Sequence, residues 1–275
     1  MSRPVEPKLE AAEVRENRAL GSGYHLLSLE APEVAARAAA GHFLMLAPAP
    51  ETGPSFDPLL PRPFSFLARD PAAGQVQLFF RTVGRGTRLL AAQPPGTRLR
   101  ALGPLGRPWP DVPAEPALLV AGGVGMPPIL DLATELAARG RAVEVFYGGR
   151  GACDLHLLDR FRATRASLTL ATDDGSQGWR GRVTEPLEAR LADGATGCLY
   201  ACGPTPMLRA VARLGERYAL PTYVSLEAPM ACGIGVCRGC AVPARLGDGS
   251  GHDAPQSYRM VCVDGPVFEA GEVAW

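Results

Sequence analysis

The sequence predicts a chain of three parts: an antiparallel β-barrel or sandwich, then an α/β unit with a parallel sheet, then a small unit rich in glycine and cysteine. The first change falls at residues 104–116, where five of thirteen residues are proline. Neither a helix interior nor a central strand tolerates that composition, so this segment marks a boundary. We place the three parts at residues 1–110, 111–222 and 223–275.

Composition and charge exclude several classes of protein. The chain has 275 residues, 47% of them hydrophobic, and its 28 basic residues balance 28 acidic ones. It can therefore bury a sizeable core, and it lacks the net charge that attracts nucleic acid or a membrane surface.

The longest apolar-leaning stretch, residues 117–130, is interrupted by glycine and proline and is too short to span a bilayer. The charged residues 1–17 predict a helix- or coil-like N-terminus without a leader segment. We expect a cytoplasmic protein that binds neither nucleic acid nor membranes.

Apolar segments with turn residues between them predict the strands of the first part. They are residues 24–30, 42–48, 62–69 and 75–83. After residue 116 the pattern changes, and strand-like segments such as ALLVA alternate with helical ones such as PPILDLATELAARG. That alternation is typical of a parallel sheet with helices on its faces.

Two turns of the middle part have the features of a ligand site. The strand ALLVA runs into GGVGMPPI, with Gly122, Gly123 and Gly125, and then into a helix. Glycines let a backbone approach a diphosphate, and helix N–H groups point at it. Because Pro128 stands where a third glycine of the dinucleotide pattern would come, this turn alone is equally compatible with a packing role.

The second turn, CGPTPM, also follows a predicted strand and opens a helix. It contains Cys202, Gly203 and Pro204. The two turns together resemble the dinucleotide domain of ferredoxin–NADP reductase-like flavoproteins. The resemblance implies that the first turn holds the phosphate and ribose region of the dinucleotide, and that the cysteine-glycine turn lies beside the nicotinamide.

The first part carries segments that resemble the flavin-binding strands of the same family. Its RPFS stretch matches the pattern R-x-x-S, which implies that Arg62 meets a phosphate of FAD and that Ser65 faces the flavin ring; a planar cation and a hydroxyl suit those partners. We expect Phe79 and Phe80 to be wall residues of the barrel rather than stacking partners. The candidate FAD-binding residues are Arg62, Pro63, Phe64, Ser65, Phe79, Phe80, Arg81, Gly86 and Thr87.

Four cysteines of the last part have the spacing of an iron–sulfur site. Cys232, Cys237 and Cys240 form C-x4-C-x2-C, and Cys262 follows 22 positions later, as in plant-type ferredoxins with a [2Fe–2S] cluster. Zinc is the weaker alternative because only one C-x2-C pair is present. A disulfide framework fits poorly with seven cysteines in a reducing compartment. His252, in a polar glycine-rich segment, is expected to be solvated, so a Rieske-type ligand set is not expected.

The last fifty residues extend the resemblance to a narrower family. SLEAPMACGIGVCRGCAV and YRMVCVDGPVFEAGEVAW, together with RPFSF, GRGT and LGPLG, resemble the electron-transfer subunits of NAD-dependent, class 1B dihydroorotate dehydrogenases. The likeness runs from about residue 10 to the end and leaves residues 1–9 and 51–58 unexplained.

That resemblance implies a role in pyrimidine (UMP) biosynthesis. A catalytic partner subunit oxidises dihydroorotate on its own FMN, and electrons then pass through the [2Fe–2S] cluster and FAD of this chain to NAD. The implied complex is a heterotetramer with two copies of each subunit, and this chain supplies no catalytic acid or base. Part of residues 230–243 should lie at the interface with the partner.

The choice of NAD over NADP follows from the resemblance only. Arg150 could meet a 2′-phosphate, whereas Asp173 and Asp174 could meet a free ribose. Two other functions remain open: a subunit of another NAD(P)H-linked iron–sulfur flavoprotein, working with a ferredoxin, a sulfhydrogenase or an electron-bifurcating complex, and a zinc-stabilised binding protein without enzymatic activity.

Overall fold

The structure is a computed structural model that describes residues 5–51, 57–245 and 257–275. Its first part is a closed antiparallel barrel with the strand order β1-β2-β5-β4-β3-β6. In chain order the elements are β1 (Lys8–Gly21), β2 (Tyr24–Glu30), α1 (Pro32–Ala35), β3 (Phe43–Pro50), β4 (Arg62–Asp70), β5 (Gln75–Arg81), α2 (Arg85–Ala91) and β6 (Arg98–Leu105). Aliphatic and aromatic side chains fill the interior, among them Leu27, Leu44, Phe66 and Leu78. The predicted barrel is confirmed.

The N-terminal segment differs from its prediction. Residues 1–17 were expected to be helix- or coil-like. For residues 8–17 this is wrong, because they belong to strand β1, which pairs with both β2 and β6 and closes the barrel. Residues 1–4 lie outside the described residues. Ala12 and Val14 are fully buried, while charged residues between and beside them remain accessible. Two small apolar residues at alternate positions give a strand one buried face while its other face meets water. The many charged residues around them concealed this short alternating pattern in the sequence.

The second part is built around a parallel sheet. Its elements are β7 (Ala117–Gly122), α3 (Met126–Ala138), β8 (Val143–Gly149), α4 (Leu158–Ala163), β9 (Ser167–Thr172), β10 (Trp179–Arg180), α5 (Thr184–Ala192), β11 (Cys198–Cys202), α6 (Thr205–Arg217) and β12 (Thr222–Ser225). The strands lie in the order β10-β9-β8-β7-β11-β12 and are parallel. Buried apolar runs in β7 and β11 are typical of central strands covered on both faces. Within the described ranges, no helix combines the length and the hydropathy required to cross a bilayer.

The C-terminal part is joined to this sheet. Strands β13 (Ala241–Ala244) and β14 (Ser257–Met260) form a small antiparallel pair, and β15 (Val267–Glu269) pairs antiparallel with β12 at the edge of the large sheet. The predicted boundary between residues 222 and 223 therefore falls inside β12. The cysteine-rich part and the middle part share one sheet, and the domain boundaries stay predictions.

The proline-rich segment 104–116 packs against both larger parts of the chain. Trp109 is only 7% exposed, and its backbone N–H donates to the Ala40 carbonyl of the barrel part at 2.8 Å. Its indole N–H donates to the Pro128 carbonyl in α3 at 3.2 Å. The Tyr200 hydroxyl of β11 donates to the Pro110 carbonyl at 3.1 Å. This connection therefore orders the two parts relative to each other.

A buried ion pair joins the barrel to α3. Arg69 of β4 donates to Asp131 and to Glu135, each at 2.8 Å, and also to the Ala38 carbonyl at 2.8 Å. Asp131 is 4% exposed. Burial raises the pKa of Asp131 to about 6, although the Arg69 charge opposes that shift. For Arg69, burial acts to lower the pKa, but the two carboxylates raise it above its usual value. Each charge therefore depends on its partner for compensation.

Replacing Arg69 by methionine removes that compensation and leaves Asp131 buried without its partner. We expect the Arg69→Met variant to lose about 3–5 kcal/mol of unfolding free energy, measured by urea unfolding of the purified holoprotein. Arg162→Met is the matched control, because Arg162 pairs with Asp159 on the surface at 2.7 Å and should cost at most about 1 kcal/mol. Arg69→Met with Asp131→Asn should recover most of the loss. An equal, small cost for both single variants would contradict this account.

Candidate functional site

A cavity of about 450 Å³ lies where the barrel, the central sheet and the C-terminal part meet. We call it the barrel-side cavity. Eight of the predicted site residues line it: Pro63, Phe64, Ser65, Phe79, Phe80, Arg81, Thr87 and Cys202. Its other walls include Pro127 and Pro128 of α3 and residues 225–230, which begin at the last residue of β12. The two halves of the chain thus build one site together.

Arg62 and Gly86 lie against each other beside this cavity. A Cβ added at Gly86 would come within 2.9 Å of Nε of Arg62, so a larger residue there would displace the guanidinium. The Thr87 hydroxyl is already engaged within its own turn, since it accepts from the backbone N–H groups of Val83 at 2.9 Å and Gly84 at 3.1 Å. Of the three, Arg62 offers the charged group for a phosphate.

Two neighbouring phenylalanines of β5 form an aromatic wall. Phe80 stacks on His25 with ring centroids 5.4 Å apart, and Phe79 stacks on Tyr24 at the same spacing. Both phenylalanines are 4% exposed, so their rings are held by the core and reach the cavity only at an edge. An apolar wall, the Ser65 hydroxyl and the nearby Arg62 guanidinium together fit a flavin nucleotide, with a planar apolar ring and a charged tail.

A second cavity of about 560 Å³ lies at the carboxyl ends of β7, β8 and β11. We call it the sheet-side cavity. It is lined by Gly122, Gly123, Gly203 and Pro204, which bring the two predicted turns together. Gly125 lines neither cavity. A Cβ at that position would meet the Cys202 carbonyl oxygen at 2.5 Å, so Gly125 permits the first turn to pack on the second.

Three residues line both cavities: Arg81, Val124 and Glu227. Glu227 was missed in the sequence, although it follows β12 at the same sheet edge as the two predicted turns. Burial raises the pKa of Glu227. Burial also raises the pKa of the Cys202 thiol, and the Glu227 charge adds to that shift. The junction of the cavities thus holds a neutral thiol, a cation and a carboxyl group.

A hydrogen-bonded pair across the barrel and sheet was also missed. The Tyr24 hydroxyl of β2 donates to Asp154 at 2.9 Å, and Asp154 accepts the backbone N–H of Arg150 at 3.2 Å. The Arg81 guanidinium lies 5.3 Å from the centre of the Tyr24 ring. Tyr24, Arg150 and Asp154 all line the sheet-side cavity. Only the three-dimensional approach of β2 to the β8 end reveals this pair, since 130 positions separate its members.

The four cysteines come together as two thiol pairs. Cys240 and Cys262 are buried, with their sulfurs 3.3 Å apart. Cys232 and Cys237 lie nearer the surface, and the Cys232 sulfur accepts the Cys237 backbone N–H at 3.5 Å. Burial acts to raise the pKa of Cys232, but N–H donors, that of Cys237 first, lower it to about 7.

Backbone donors surround the remaining sulfurs. The N–H of Gly235 reaches the Cys262 sulfur at 3.2 Å, and the N–H of Gly239 reaches Cys237 at 3.4 Å. Such donors stabilise negatively charged sulfur. Gly233, with φ +76°, packs the loop on the barrel, because a Cβ there would lie 2.5 Å from Cγ of Met45. The loop therefore sits directly against β3.

The thiol geometry favours a two-iron centre over a single ion. In the described part of the chain, no group of three or more His, Cys, Asp or Glu residues is arranged to hold one metal ion. A structural zinc requires four ligands around one centre, whereas two thiol pairs match a cluster with two irons. His252 lies outside the described residues.

Comparison with known proteins identifies two family matches. Residues 227–274 match the iron-sulfur cluster binding domain of dihydroorotate dehydrogenase B, and residues 119–213 match the oxidoreductase NAD-binding domain.

Curated relatives extend the similarity along the chain. The dihydroorotate dehydrogenase B (NAD(+)) electron transfer subunit of Geobacillus kaustophilus is 44% identical over 225 residues, which cover 80% of this chain and 82% of the relative. The corresponding subunit of Desulforamulus reducens is 34% identical over 252 residues, or 91% and 92% of the two chains.

A solved structure supports the same architecture. The NADH-dependent reduced ferredoxin–NADP oxidoreductase, studied for flavin-based electron bifurcation, matches with a TM-score of 0.80 and 27% identity over 97% of this chain and 90% of that one. A ferredoxin reductase of carbazole 1,9a-dioxygenase, at 23% identity and a TM-score of 0.68, shares the fold. The curated relatives and the match of residues 227–274 establish that the chain belongs to the family of dihydroorotate dehydrogenase B electron transfer subunits.

Proposed function

We propose that this chain carries electrons between a dihydroorotate-oxidising partner and NAD⁺, in pyrimidine (UMP) biosynthesis. It holds a [2Fe–2S] cluster and FAD, and it binds NAD as substrate. The observation that carries the proposal is the continuity of the sites. The two cavities share Arg81 and Glu227, and Met230 of the barrel-side cavity precedes Cys232 by two positions. The proposed nicotinamide, flavin and cluster sites thus follow one another in this order, the first two through shared wall residues and the third through a short stretch of chain.

The proposal assigns a set of residues to each group. Cys232, Cys237, Cys240 and Cys262 hold the cluster. Arg62, Pro63, Phe64, Ser65, Phe79, Phe80, Arg81, Gly86 and Thr87 form the FAD site. Gly122, Gly123, Gly125, Cys202, Gly203 and Pro204 form or support the NAD site. When bound, the flavin exchanges a hydride with nicotinamide and single electrons with the iron–sulfur centre.

The protein's own contribution is positioning and exclusion of water. Ser65 and the apolar wall formed by Phe79 and Phe80 orient the flavin ring, and Arg62 binds its phosphate. Arg81 and Glu227, at the junction of the cavities, align the two rings. The Cys202 thiol stays neutral there because burial raises its pKa. The residues that remove protons from dihydroorotate belong to the partner, so we assign no catalytic acid or base to this chain.

The partner binds beside the cluster loop. Ile234, Val236 and Val263 are large apolar residues that remain exposed there, Val236 by 77%. Ile234 and Val236 lie between the two cysteines of the more accessible thiol pair in the sequence. Apolar residues beside the electron exit suit a protein surface that covers the loop. We propose that this surface receives a catalytic subunit with its own FMN, in a cytoplasmic complex with two copies of each subunit.

The two other functions have less support. A subunit of a bifurcating or ferredoxin-linked complex has the same fold, but the solved structure of that type is 27% identical, against 44% for the dihydroorotate dehydrogenase B relative. A zinc-stabilised binding protein requires one four-ligand centre, and the cysteines instead form two pairs.

The first test is an anaerobic visible spectrum of the purified chain, with iron, sulfide, zinc and flavin quantified before and after addition of NADH. We expect about two irons and one FAD per chain, with flavin and cluster bands that bleach together. Co-purification with the partner subunit should then give NAD⁺ reduction by dihydroorotate. Zinc without flavin, or flavin that NADH does not reduce, would overturn the proposal.

The FAD assignment is tested by Arg62→Met. Losing a charged hydrogen bond to phosphate should weaken FAD binding by about 10- to 100-fold. The measurement is a titration of the apoprotein with FAD, in which flavin fluorescence reports the free and bound fractions. Arg88→Met is the matched control, because Arg88 is an exposed arginine of helix α2, whereas Arg62 belongs to strand β4. Equal FAD affinity in both variants would remove Arg62 from the site.

The partner surface is tested by Val236→Lys. A charge in an apolar contact should weaken the complex at least about tenfold, measured by titrating the partner subunit. The cluster spectrum and the reduction of ferricyanide by NADH should be unchanged. Trp179→Lys is the control, because Trp179 is also exposed but lies in β10, at the opposite edge of the sheet from β15. Unaltered partner binding by Val236→Lys would place the interface elsewhere.

A further inference from the structure

The order of the strands in the central sheet places the two ends of the sheet-side cavity at different strands. Cys202 ends β11, Gly122 ends β7, and Gly149 ends β8, and these strands are neighbours in that order. On the proposed function, the nicotinamide lies beside Cys202 and the diphosphate at the glycine turn after β7. The adenosine half of the dinucleotide must then extend toward the end of β8, where Arg150 and Asp154 line the cavity.

Asp154 is a built carboxylate at that end. It is only 7% exposed, and it accepts the Tyr24 hydroxyl at 2.9 Å with one oxygen and the Arg150 backbone N–H at 3.2 Å with the other. Burial acts to raise the pKa of Asp154, but the Tyr24 hydrogen bond and the Arg150 charge outweigh it, and the net pKa is lowered. The group is therefore a fixed negative charge in the cavity wall.

Arg150 is the cation that would otherwise attract a second phosphate at this end. Its Nε lies 3.5 Å from the Asp154 carboxylate, while its side chain is otherwise 72% exposed. A carboxylate this close offsets much of the cation's field at the cavity. The arginine therefore remains able to contact a neutral ribose but has less charge to offer a phosphate.

Other charged groups near this end do not reverse that balance. Asp173 also lines the cavity and adds negative charge. Arg182 lines it as well, and its backbone N–H donates to the Glu185 carboxylate at 3.1 Å. Asp174 lines neither cavity; its carboxylate accepts the hydroxyl and the backbone N–H of Ser176 in its own turn.

We propose that Asp154, held in place by the Tyr24 hydroxyl of the barrel, selects a dinucleotide with a free 2′-hydroxyl over one with a 2′-phosphate. Asp154 acts by neutralising Arg150 and by presenting its own charge to the added phosphate. Tyr24 is a positioning residue, so the barrel contributes to the choice of dinucleotide as well as the sheet that binds it. The inference rests on the proposed function.

The test is equilibrium binding of NAD⁺ and NADP⁺ to the oxidised holoprotein by titration calorimetry, which needs no turnover. Asp154→Asn removes the charge and keeps an oxygen that can accept from Tyr24. We expect it to lower the Kd for NADP⁺ by about tenfold and to change the Kd for NAD⁺ by less than about twofold. Tyr24→Phe should shift the ratio of the two constants in the same direction by about threefold.

Asp174→Asn is the matched control, since it removes the same charge from a nearby turn outside the cavity and should leave the ratio unchanged. Arg150→Gln supplies a second approach if Asp154→Asn does not fold, because Arg150 is mostly exposed. Arg150→Gln alone should change the affinity for NADP⁺ by less than about twofold, because the Arg150 charge is already offset. In the double variant with Asp154→Asn, it should abolish the increase in NADP⁺ affinity that Asp154→Asn produces.

The outcomes separate this inference from the function on which it rests. If the wild-type chain binds NAD⁺ but Asp154→Asn leaves the ratio unchanged, or Asp174→Asn changes it as much, the inference is wrong and the proposed function stands. A large loss of NADP⁺ affinity in Arg150→Gln alone would also overturn the inference. If wild-type holoprotein binds neither dinucleotide, the proposed function fails as well.

Discussion

The ion pair between Arg69 and Asp131 is the constraint on which the arrangement of the sites depends. It ties strand β4 to helix α3, and each of these elements also supplies walls of the barrel-side cavity, Ser65 from β4 and Pro128 from α3. A buried pair of this kind tolerates little displacement, because separation leaves both charges in a poorly solvated place. The position of the glycine turn after β7 relative to strand β4 is therefore set by an interaction outside both cavities.

The C-terminal part is held to the rest of the molecule with similar rigidity. Strand β15 adds to the central sheet through β12, and the cysteine loop lies on Met45 of the barrel through Gly233. A cluster placed in this loop could not swing away without breaking strand pairing or barrel contacts. The sites are consequently connected by fixed structure, which suits single-electron transfer because its rate depends on distance.

Much of this architecture could be predicted from sequence, for reasons that are local. Cysteine spacing, glycine turns after apolar strands and the R-x-x-S segment are short patterns whose chemistry depends on neighbours in the chain. Strand β1 was mispredicted because its signal consists of Ala12 and Val14 among many charges. Glu227 and the Tyr24–Asp154 bond were missed because their roles arise only when distant segments meet. The barrel wall of Phe79 and Phe80 was expected, but their partners His25 and Tyr24 were not.

The shared residues of the two cavities explain why one fold can join hydride and single-electron chemistry. Hydride transfer requires two rings in contact, so their sites must open into each other, and Arg81 and Glu227 belong to both walls. Single electrons tolerate a gap filled by protein, and the barrel-side cavity is separated from Cys232 by a short stretch of chain after Met230. The proposed order of the sites is consistent with the distance that each kind of transfer allows: the two cavities share wall residues, and the cluster cysteines follow Met230 in the chain without lining either cavity.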